Sequence, residues 1–302
     1  MKMRYPNTGL EVFCRLVGKS RQAYYLHQHA YTKREREQRL VIEMVLFIRE
    51  ELPMLGAKKL LYLLSPSFEA SNIKIGRDKF LNLLRDHGLL IRRRKRSILT
   101  TKSNNEVIPF VNLAKDLNIS GINQLWVSDI TYIPVGSSFS FLSLITDAYS
   151  RKIVGFCLHP TLHTDGCIIA LKMALSTSST NIDGLIHHSD RGIQYCSNLY
   201  TNLLKYNKIK ISMSDRASPQ QNAIAERVNG ILKQEFGMSK TYNSHQSALE
   251  SAQNAVKKYN EIRPHASCDY LTPAEAHLTT SKFKKRWKDY TKKKFGVKQF
   301  QG

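Results

Sequence analysis

Three acidic residues sit where a carboxylate is either a liability or a tool. Asp129 interrupts Leu125-Trp126-Val127-Ser128-Asp129-Ile130-Thr131-Tyr132-Ile133, a run otherwise dominated by β-branched and aromatic residues. A charge in such a run is costly unless something compensates for it. Asp190 follows Leu185-Ile186-His187-His188-Ser189, where a strand passes into a loop, a frequent location for reactive groups. Glu226 lies in a helical stretch from about Asn222 to Phe236. At ~100° per residue, Asn222, Gly230 and Lys233 fall within about 40° of it, and Ile224, Val228 and Ile231 project from the other side. Such a helix can dock its apolar face on a sheet while Glu226 and Lys233 look into a cleft. Carboxylates from two strands and a helix can converge on two divalent cations about 3.5–4 Å apart, which stabilise both attacking and leaving oxygens in phosphoryl transfer. Oxygen-only ligands select Mg²⁺ or Mn²⁺ over zinc.

Each acid also has a plainer use, since a strand-end Asp often caps a turn and a helical Glu is often simply solvated. Asp147 is expected to order its own turn with Ser150 and Arg151. His187 and His188 are adjacent on a strand, so they point to opposite faces and make no joint metal site.

The elements that must carry these acids follow from periodicity. Leu125–Ile133 reads as a strand ending at Pro134, followed by a turn at Val135-Gly136-Ser137-Ser138. Phe139–Thr146 and Lys152–Leu158 continue an antiparallel meander. A helix over Asp165–Leu175, a strand over Leu185–Ser189, a helix near Ser197–Tyr206, a strand over Lys210–Met213 and the Glu226 helix complete a β-β-β-α-β-α-β-α order. That order describes an α/β fold, a mixed sheet with flanking helices. The first third is helical. Leu40, Val41, Met44, Val45 and Ile48 form one apolar stripe, Ala57–Leu64 a second helix, and Arg77–His87 a third that buries Phe80, Leu83 and Leu84 and stops at Gly88. With Ser65-Pro66 and Ile73–Gly76 between the last two, this is a helix-turn-helix pattern. Cys14–Tyr25 reads as a separate small helical element. The expected organisation is an N-terminal helical element (1–34), a helix-turn-helix-like domain (35–97), a linker (98–120), a catalytic core (121–236) and a basic C-terminal segment (237–302).

Charge is distributed along the same divisions. The 302 residues hold 46 Lys+Arg against 24 Asp+Glu, a net +22. Residues 1–105 carry +13, residues 106–236 only +1 and residues 237–302 +8. A near-neutral middle between basic flanks suits a reacting core held between phosphate-gripping arms. Arg92-Arg93-Arg94-Lys95-Arg96 is the densest cluster; five adjacent cations repel one another unless an anion lies among them, so contact with a DNA backbone is expected. Lys282–Lys294 is a second candidate grip. The five cysteines are widely spaced and form no CxxC pair, which argues against a disulfide framework or a cysteine zinc site. No apolar run is long enough to span a bilayer, and the N-terminus lacks a signal-peptide stretch. The chain is expected to be cytoplasmic, nucleoid-associated, with no membrane partner.

Trp126-Val127-Ser128-Asp129-Ile130-Thr131-Tyr132, His188-Ser189-Asp190-Arg191-Gly192 and Asn222-Ala223-Ile224-Ala225-Glu226-Arg227 resemble the three signatures of DDE transposases. The interval between Asp190 and Glu226 is characteristic of the large IS-three family of bacterial insertion sequences, whose second-frame (OrfB-type) transposases share a core with retroviral integrases. Lys233 matches that family's basic position. Tyr259-Asn260, Arg263-Pro264-His265 and Thr272-Pro273-Ala274-Glu275 are similar to its C-terminal segment. The resemblance covers most of residues 35–278. It implies an RNase H-like (retroviral integrase-like) mixed five-stranded sheet, preceded by an all-α helix-turn-helix region. It also implies Asp129, Asp190 and Glu226 as catalytic and metal-holding residues, with Asp129 bridging two Mg²⁺ ions (Mn²⁺ as substitute). Asn222, Arg227, Lys233 and Arg92–Arg96 become candidate DNA contacts. The implied reaction exposes a 3′-hydroxyl at an element end and joins it to target DNA. The implied partners are double-stranded DNA, a second copy of the chain at least, and, in a two-frame element, an upstream-frame DNA-binding subunit. Residues Asp215–Gln221, with Ser218-Pro219, depart from the Gly- and Asn-rich loop common in that family. The zinc-binding N-terminal domain of retroviral integrases is absent, and the helix-turn-helix region stands in its place.

Two readings of other classes remain. One is a DNA-binding regulator of transposition that kept the fold and lost catalysis, which metal-dependent nicking would exclude. The other is an RNase H-like nuclease that only hydrolyses, which strand transfer would exclude.

Overall fold

The computed structural model describes residues 8–91, 110–115, 117–178, 182–215, 219–279 and 283. They fall into two compact units, a helical one and one that carries a sheet. Arg92–Arg96 and Thr100–Asn105 lie outside the described residues, as does Lys282–Lys294 apart from Phe283.

The helical unit contains α1 (Leu10–Leu16), α2 (Arg21–Glu51), α3 (Ala57–Ala70) and α4 (Arg77–Asp86). Val41 and Val45 of α2, Leu60, Leu64 and Phe68 of α3, and Phe80, Leu83 and Leu84 of α4 are its buried apolar side chains. Three expectations need correction. Cys14–Tyr25 is not one element: a turn with Gly18 at φ +65° divides it. Ser20 Oγ then accepts from the Ala23 N–H at 3.1 Å as α2 begins, and α2 runs unbroken past residues 34 and 35, where a domain boundary was expected. Pro66 does not end a helix but lies inside α3. A proline there removes one backbone donor, yet the Phe68 ring beyond it is buried edge-on to Phe80 at 6.1 Å, so core packing carries the helix past the proline. The Ser65 hydroxyl donates to the Leu61 carbonyl at 2.7 Å in the same turn.

The second unit is built on β1 (Leu125–Val135), β2 (Ser138–Asp147), β3 (Ile153–His159), β4 (Ile186–Ser189) and β5 (Lys210–Met213), in the order β3-β2-β1-β4-β5. β1, β2 and β3 are antiparallel; β4 and β5 run parallel to β1. β1 continues through Pro134, two residues beyond its expected end. Its pairing with β4 stops at Ser128, and beyond it that side of β1 carries only an isolated bridge in which the Pro134 carbonyl accepts from the Tyr242 N–H at 3.0 Å, so no ladder there calls on Pro134 for a donor. A three-stranded meander extended by two parallel strands is the RNase H-like arrangement.

Helices cover both faces. On one lie α5 (Thr164–Thr177), the single turn α6 (Ile193–Cys196) and α7 (Asn198–Tyr206), whose core includes Trp126, Ile145, Leu171, Tyr195, Tyr200 and Leu204. Gly155 on β3 is what lets α5 come this close, since a Cβ there would stand 2.1 Å from the Ala170 carbonyl oxygen. On the other face lie α8 (Ala223–Glu235) and α9 (His245–Glu261), packing Val228, Ile231, Leu232, Val256 and Tyr259 onto Ile133, Leu142 and Leu144. The short α10 (Pro273–Leu278) starts at a capping box between Thr272 and Glu275.

Two expected boundaries therefore move. Residues 237–302 are not simply a basic extension, because Met238, Tyr242 and five side chains of α9 belong to the same core as α8. Nor are residues 110–119 a free linker. The Leu113 N–H donates to Ser212 Oγ and the Asn112 amide to Gln221, both at 2.8 Å, and Leu117 and Ile119 pack beside Leu125 and Val127.

Candidate active site

The β1–β4 ladder ends with Val127 opposite His188 and Ser128 opposite Ser189. Asp129 and Asp190 are therefore the next residues on two adjacent parallel strands, placed where the chains diverge. Openings of this kind, where strand connections part to opposite sides, are the usual ligand crevices of α/β sheets. Asp129 is half-buried and Asp190 exposed.

Each carboxylate is held. Asp129 Oδ1 accepts from the Ile130 N–H at 3.0 Å and Oδ2 from the Asn229 amide at 2.8 Å. Asp190 Oδ1 accepts from the Gly192 N–H at 3.0 Å. A side chain at residue 192 would press on that carboxylate, as a Cβ would lie 3.1 Å from the same oxygen. Arg191 anchors the turn by donating from Nε to the Ser214 carbonyl at 2.8 Å. Burial and the neighbouring Asp190 charge push the Asp129 carboxyl up to about 7, Glu226 adds to the rise, and the Asn229 hydrogen bond opposes it. Surrounding protein atoms also take part of the water from the Asp190 carboxyl and raise its pKa, against the Gly192 hydrogen bond. Lys233 is half-buried; burial lowers its pKa while the Asp129 charge works the other way.

α8 supplies the other wall. Asn222, Glu226, Asn229 and Lys233 recur at i, i+4, i+7 and i+11, one stripe of a helix. Asn222 donates from Nδ2 to the Ser128 carbonyl at 2.9 Å, so the helix start is tied to β1 immediately before Asp129. Ala225, Val228, Ile231 and Leu232 seat the opposite side. Glu226 and Arg227 are exposed.

Beneath the strand ends lies a polar layer that sequence reasoning missed. His187 Nε2 is 2.7 Å from Ser128 Oγ and 2.8 Å from the Tyr200 hydroxyl, all three buried. His188 faces the other way, to Ser212 Oγ at 2.8 Å and Ser214 Oγ at 3.2 Å. The two histidines are thus divided between faces, as strand alternation required. Asp147 orders its turn as expected, accepting from the Asn123, Tyr149 and Ser150 N–H groups and from Ser150 Oγ at 2.8–3.1 Å.

The structure brings Asp129 and Asp190 together and puts Glu226 and Lys233 within their electrostatic reach. It does not gather a finished cage: among the described residues, no three His, Cys, Asp or Glu side chains are close enough to hold an ion. The donor set nonetheless fits a hard divalent cation. All three candidate ligands are carboxylates, and Asp129 resists ionising beside its neighbours, a resistance that a positive charge at that point would remove. One expected DNA contact is corrected. Asn222 is buried, 4% exposed, and its amide is spent on the β1 backbone, so it cannot touch DNA. Asn229 is the site residue the sequence pattern did not single out. Its signal was its place on the Glu226 face, three residues on and four before Lys233.

Residues 120–219 and 207–273 match two family models, each described as an integrase core domain. The chain is 28% identical over 265 residues to the insertion element IS600 uncharacterized 31 kDa protein of Shigella sonnei, covering 86% of this chain and 96% of that protein. It is 32% identical over 158 residues to the putative transposase for insertion sequence element IS986/IS6110 of Mycobacterium tuberculosis (strain CDC 1551 / Oshkosh), covering 51% of this chain and 57% of that one. It is 31% identical over 164 residues to transposase InsF for insertion sequence IS3A of Escherichia coli (strain K12), with 54% and 57% covered. The match thus spans just over half the length of these two transposases. Among solved structures, the HTLV-2 integrase catalytic core domain in complex with magnesium is 18% identical, with a TM-score of 0.41 and 52% of this chain covered.

Proposed function

This chain belongs to the bacterial insertion-sequence transposases that carry an integrase core domain, and from that premise we propose that it cuts DNA at the ends of its element and joins the exposed 3′-hydroxyl to target DNA. The observation that carries the reading is the pairing of Asp129 with Asp190 at the end of the β1–β4 ladder, with the Asp129 carboxyl held up to about 7 by burial and by its neighbour. Carboxylates are crowded in this way, without a cation to offset them, where phosphoryl-transfer sites take up metal.

In this reading Asp129, Asp190 and Glu226 hold Mg²⁺, or Mn²⁺ in its place. When bound, two such ions would lower the pKa of the attacking water or 3′-hydroxyl and stabilise the departing oxygen. The chain's own residues do the rest. Asn229 fixes one oxygen of Asp129, and Gly192 leaves space for and orients Asp190. Asn222 locks α8 to β1, so that Glu226 keeps its distance from both acids. Lys233 and Arg227 are assigned to backbone phosphates near the cleaved end. The helical unit and the basic stretches at Arg92–Arg96 and Lys282–Lys294 are assigned to holding the DNA. Two ends must be handled together, so at least two copies act in concert; an upstream-frame subunit would join them in a two-frame element.

The test uses the full chain with a labelled duplex bearing the inverted repeats that flank the gene, plus Mg²⁺ or Mn²⁺. Strand cleavage and joining should both occur, and each of Asp129→Asn, Asp190→Asn and Glu226→Gln should lower them by more than about 100-fold, beyond the loss typical for residues that only support a metal ligand. Full activity in any one variant removes that residue from the role. Cleavage without joining would identify a nuclease, and binding without cleavage a regulator.

A further inference from the structure

Between α2 and α4 of the helical unit, both of which lean on α3, lies a groove of about 540 Å³. One wall is the α2 stripe that includes Lys33, Arg34 and Glu37; the other carries Lys74 and, on α4, Lys79 and Asp86. The α2 stripe runs on into Val41, which is buried in the core. A helix face turned toward its own protein ordinarily stays apolar. Here, two turns before Val41, it becomes cationic while still facing a neighbour that is cationic too. Glu37 lies 3.9 Å from Lys33 on the same wall. Among the described residues Arg34, Lys74 and Lys79 make no ion pair, so the lining, with four cations against the carboxylates Glu37 and Asp86, keeps a net positive charge shared between both walls.

We propose that this groove seats one strand of the phosphate backbone of duplex DNA. The inference rests on the DNA-acting reading above and gives it a site built from residues other than the three carboxylates and the Arg92–Arg96 run. Two features favour a backbone over a mononucleotide. The described lining contains no aromatic ring, so a base would find no surface to stack on. The uncharged polar groups of the lining are the amides of Gln38 and Asn82, which can donate to phosphate oxygens without reading a base. The groove therefore supplies position and affinity, not sequence preference.

The experiment measures binding of the full chain to a labelled duplex over a range of salt concentrations. Each phosphate contact contributes about 0.9 to the slope of log K against log[salt]. The variant Lys33→Ala/Arg34→Ala/Lys74→Ala/Lys79→Ala should lower that slope by up to about 3.6, equally for duplexes of unrelated sequence. Lys74→Arg/Lys79→Arg should keep the slope, and a thermal melt would show that each variant folds. Arg36→Ala/Arg39→Ala, on the far side of α2, should leave the slope nearly as it is. An unchanged slope in the fourfold variant, or an equal loss in the far-side control, overturns the proposal. So does a variant that loses binding of adenosine monophosphate while holding duplex normally. The groove and the transposase reading fail separately. An unchanged slope in a chain that still joins strands rejects only the groove, whereas a lowered slope in a chain that never cuts rejects only the reaction.

Discussion

Asn229 of α8 donates its amide to Asp129 of β1 across 2.8 Å, and the two residues are 100 positions apart in the chain. The bond does two things. It fixes the carboxylate's orientation, and it favours the ionised form against the burial and charge crowding that oppose it. Asn229→Ala should therefore lower strand cleavage by about 10–100-fold, the usual loss when the partner of a metal-holding carboxylate is removed. The sign of the pH effect follows. Losing a bond to the charged form raises the Asp129 pKa still further, so the acid limb of the pH–rate profile should move to higher pH. A loss of activity with no movement of that limb would show that Asn229 acts only through folding.

Asp129 itself predicts a pH-dependent stability. Its carboxyl ionises at about 7 in the folded chain against an ordinary 3.8. Below about 4 both states are protonated and the group is neutral to stability. As pH climbs toward 7 the unfolded state gives up its proton first, so folding loses stability through that window. Asp129→Asn cannot ionise, and in divalent-free buffer at pH 8 it should melt higher than the parent chain. Mg²⁺ should then raise the melting temperature of the parent, by up to about 2.7 kcal/mol of stability at a hundredfold excess over Kd, and barely affect the variant. A parent melting curve indifferent to both pH and Mg²⁺ would contradict this.

His187 predicts the opposite limb. Burial holds its pKa down to about 3, against 6.5 for a free imidazole. The unfolded chain takes up a proton below about 6.5 that the folded chain refuses, so stability falls as pH drops from about 6.5 toward 3, at up to roughly 1.4 kcal/mol per pH unit for this group. His187→Gln should be less stable at pH 7, having lost its place between Ser128 and Tyr200, but should show a shallower acid decline. Urea unfolding at pH 7, 6 and 5 separates the two slopes.

Arg263, a cation of the C-terminal motif, is predicted to be structural. It is 1% exposed, donates from Nε and Nη2 to the two Glu235 oxygens at 2.8 Å, and lies 5.7 Å from the Tyr259 ring centre. The pair ties the chain beyond α9 to the end of α8. Arg263→Ala leaves a carboxylate without its fork and should cost about 3–5 kcal/mol. Arg263→Lys should recover only part of that, since an ammonium cannot match a bidentate carboxylate. Chemical denaturation of the three chains tests the order.

The sequence alone determined most of the sheet and nominated the three acids. Strand alternation is a local property, so Leu125–Ile133, Lys210–Met213 and the opposed facing of His187 and His188 were legible from side-chain type and period. The resemblance of the motifs around Asp129, Asp190 and Glu226 supplied the roles proposed for these positions. What the sequence did not determine were features decided by distant contacts. Pro66 looked like a helix stop until Phe68 was seen to be buried against Phe80. Residues 237–261 looked like a basic tail until α9 packed onto β1–β3. Asn222 was expected to contact DNA, and Asn229 was not singled out at all. Only the closure of α8 over β1 showed that one amide grips the strand backbone and the other grips Asp129. A pattern of residues gives direction along a helix or strand, but which polar group meets which across 100 residues is set by how the helix is seated on the sheet, and that is a property of the packed core.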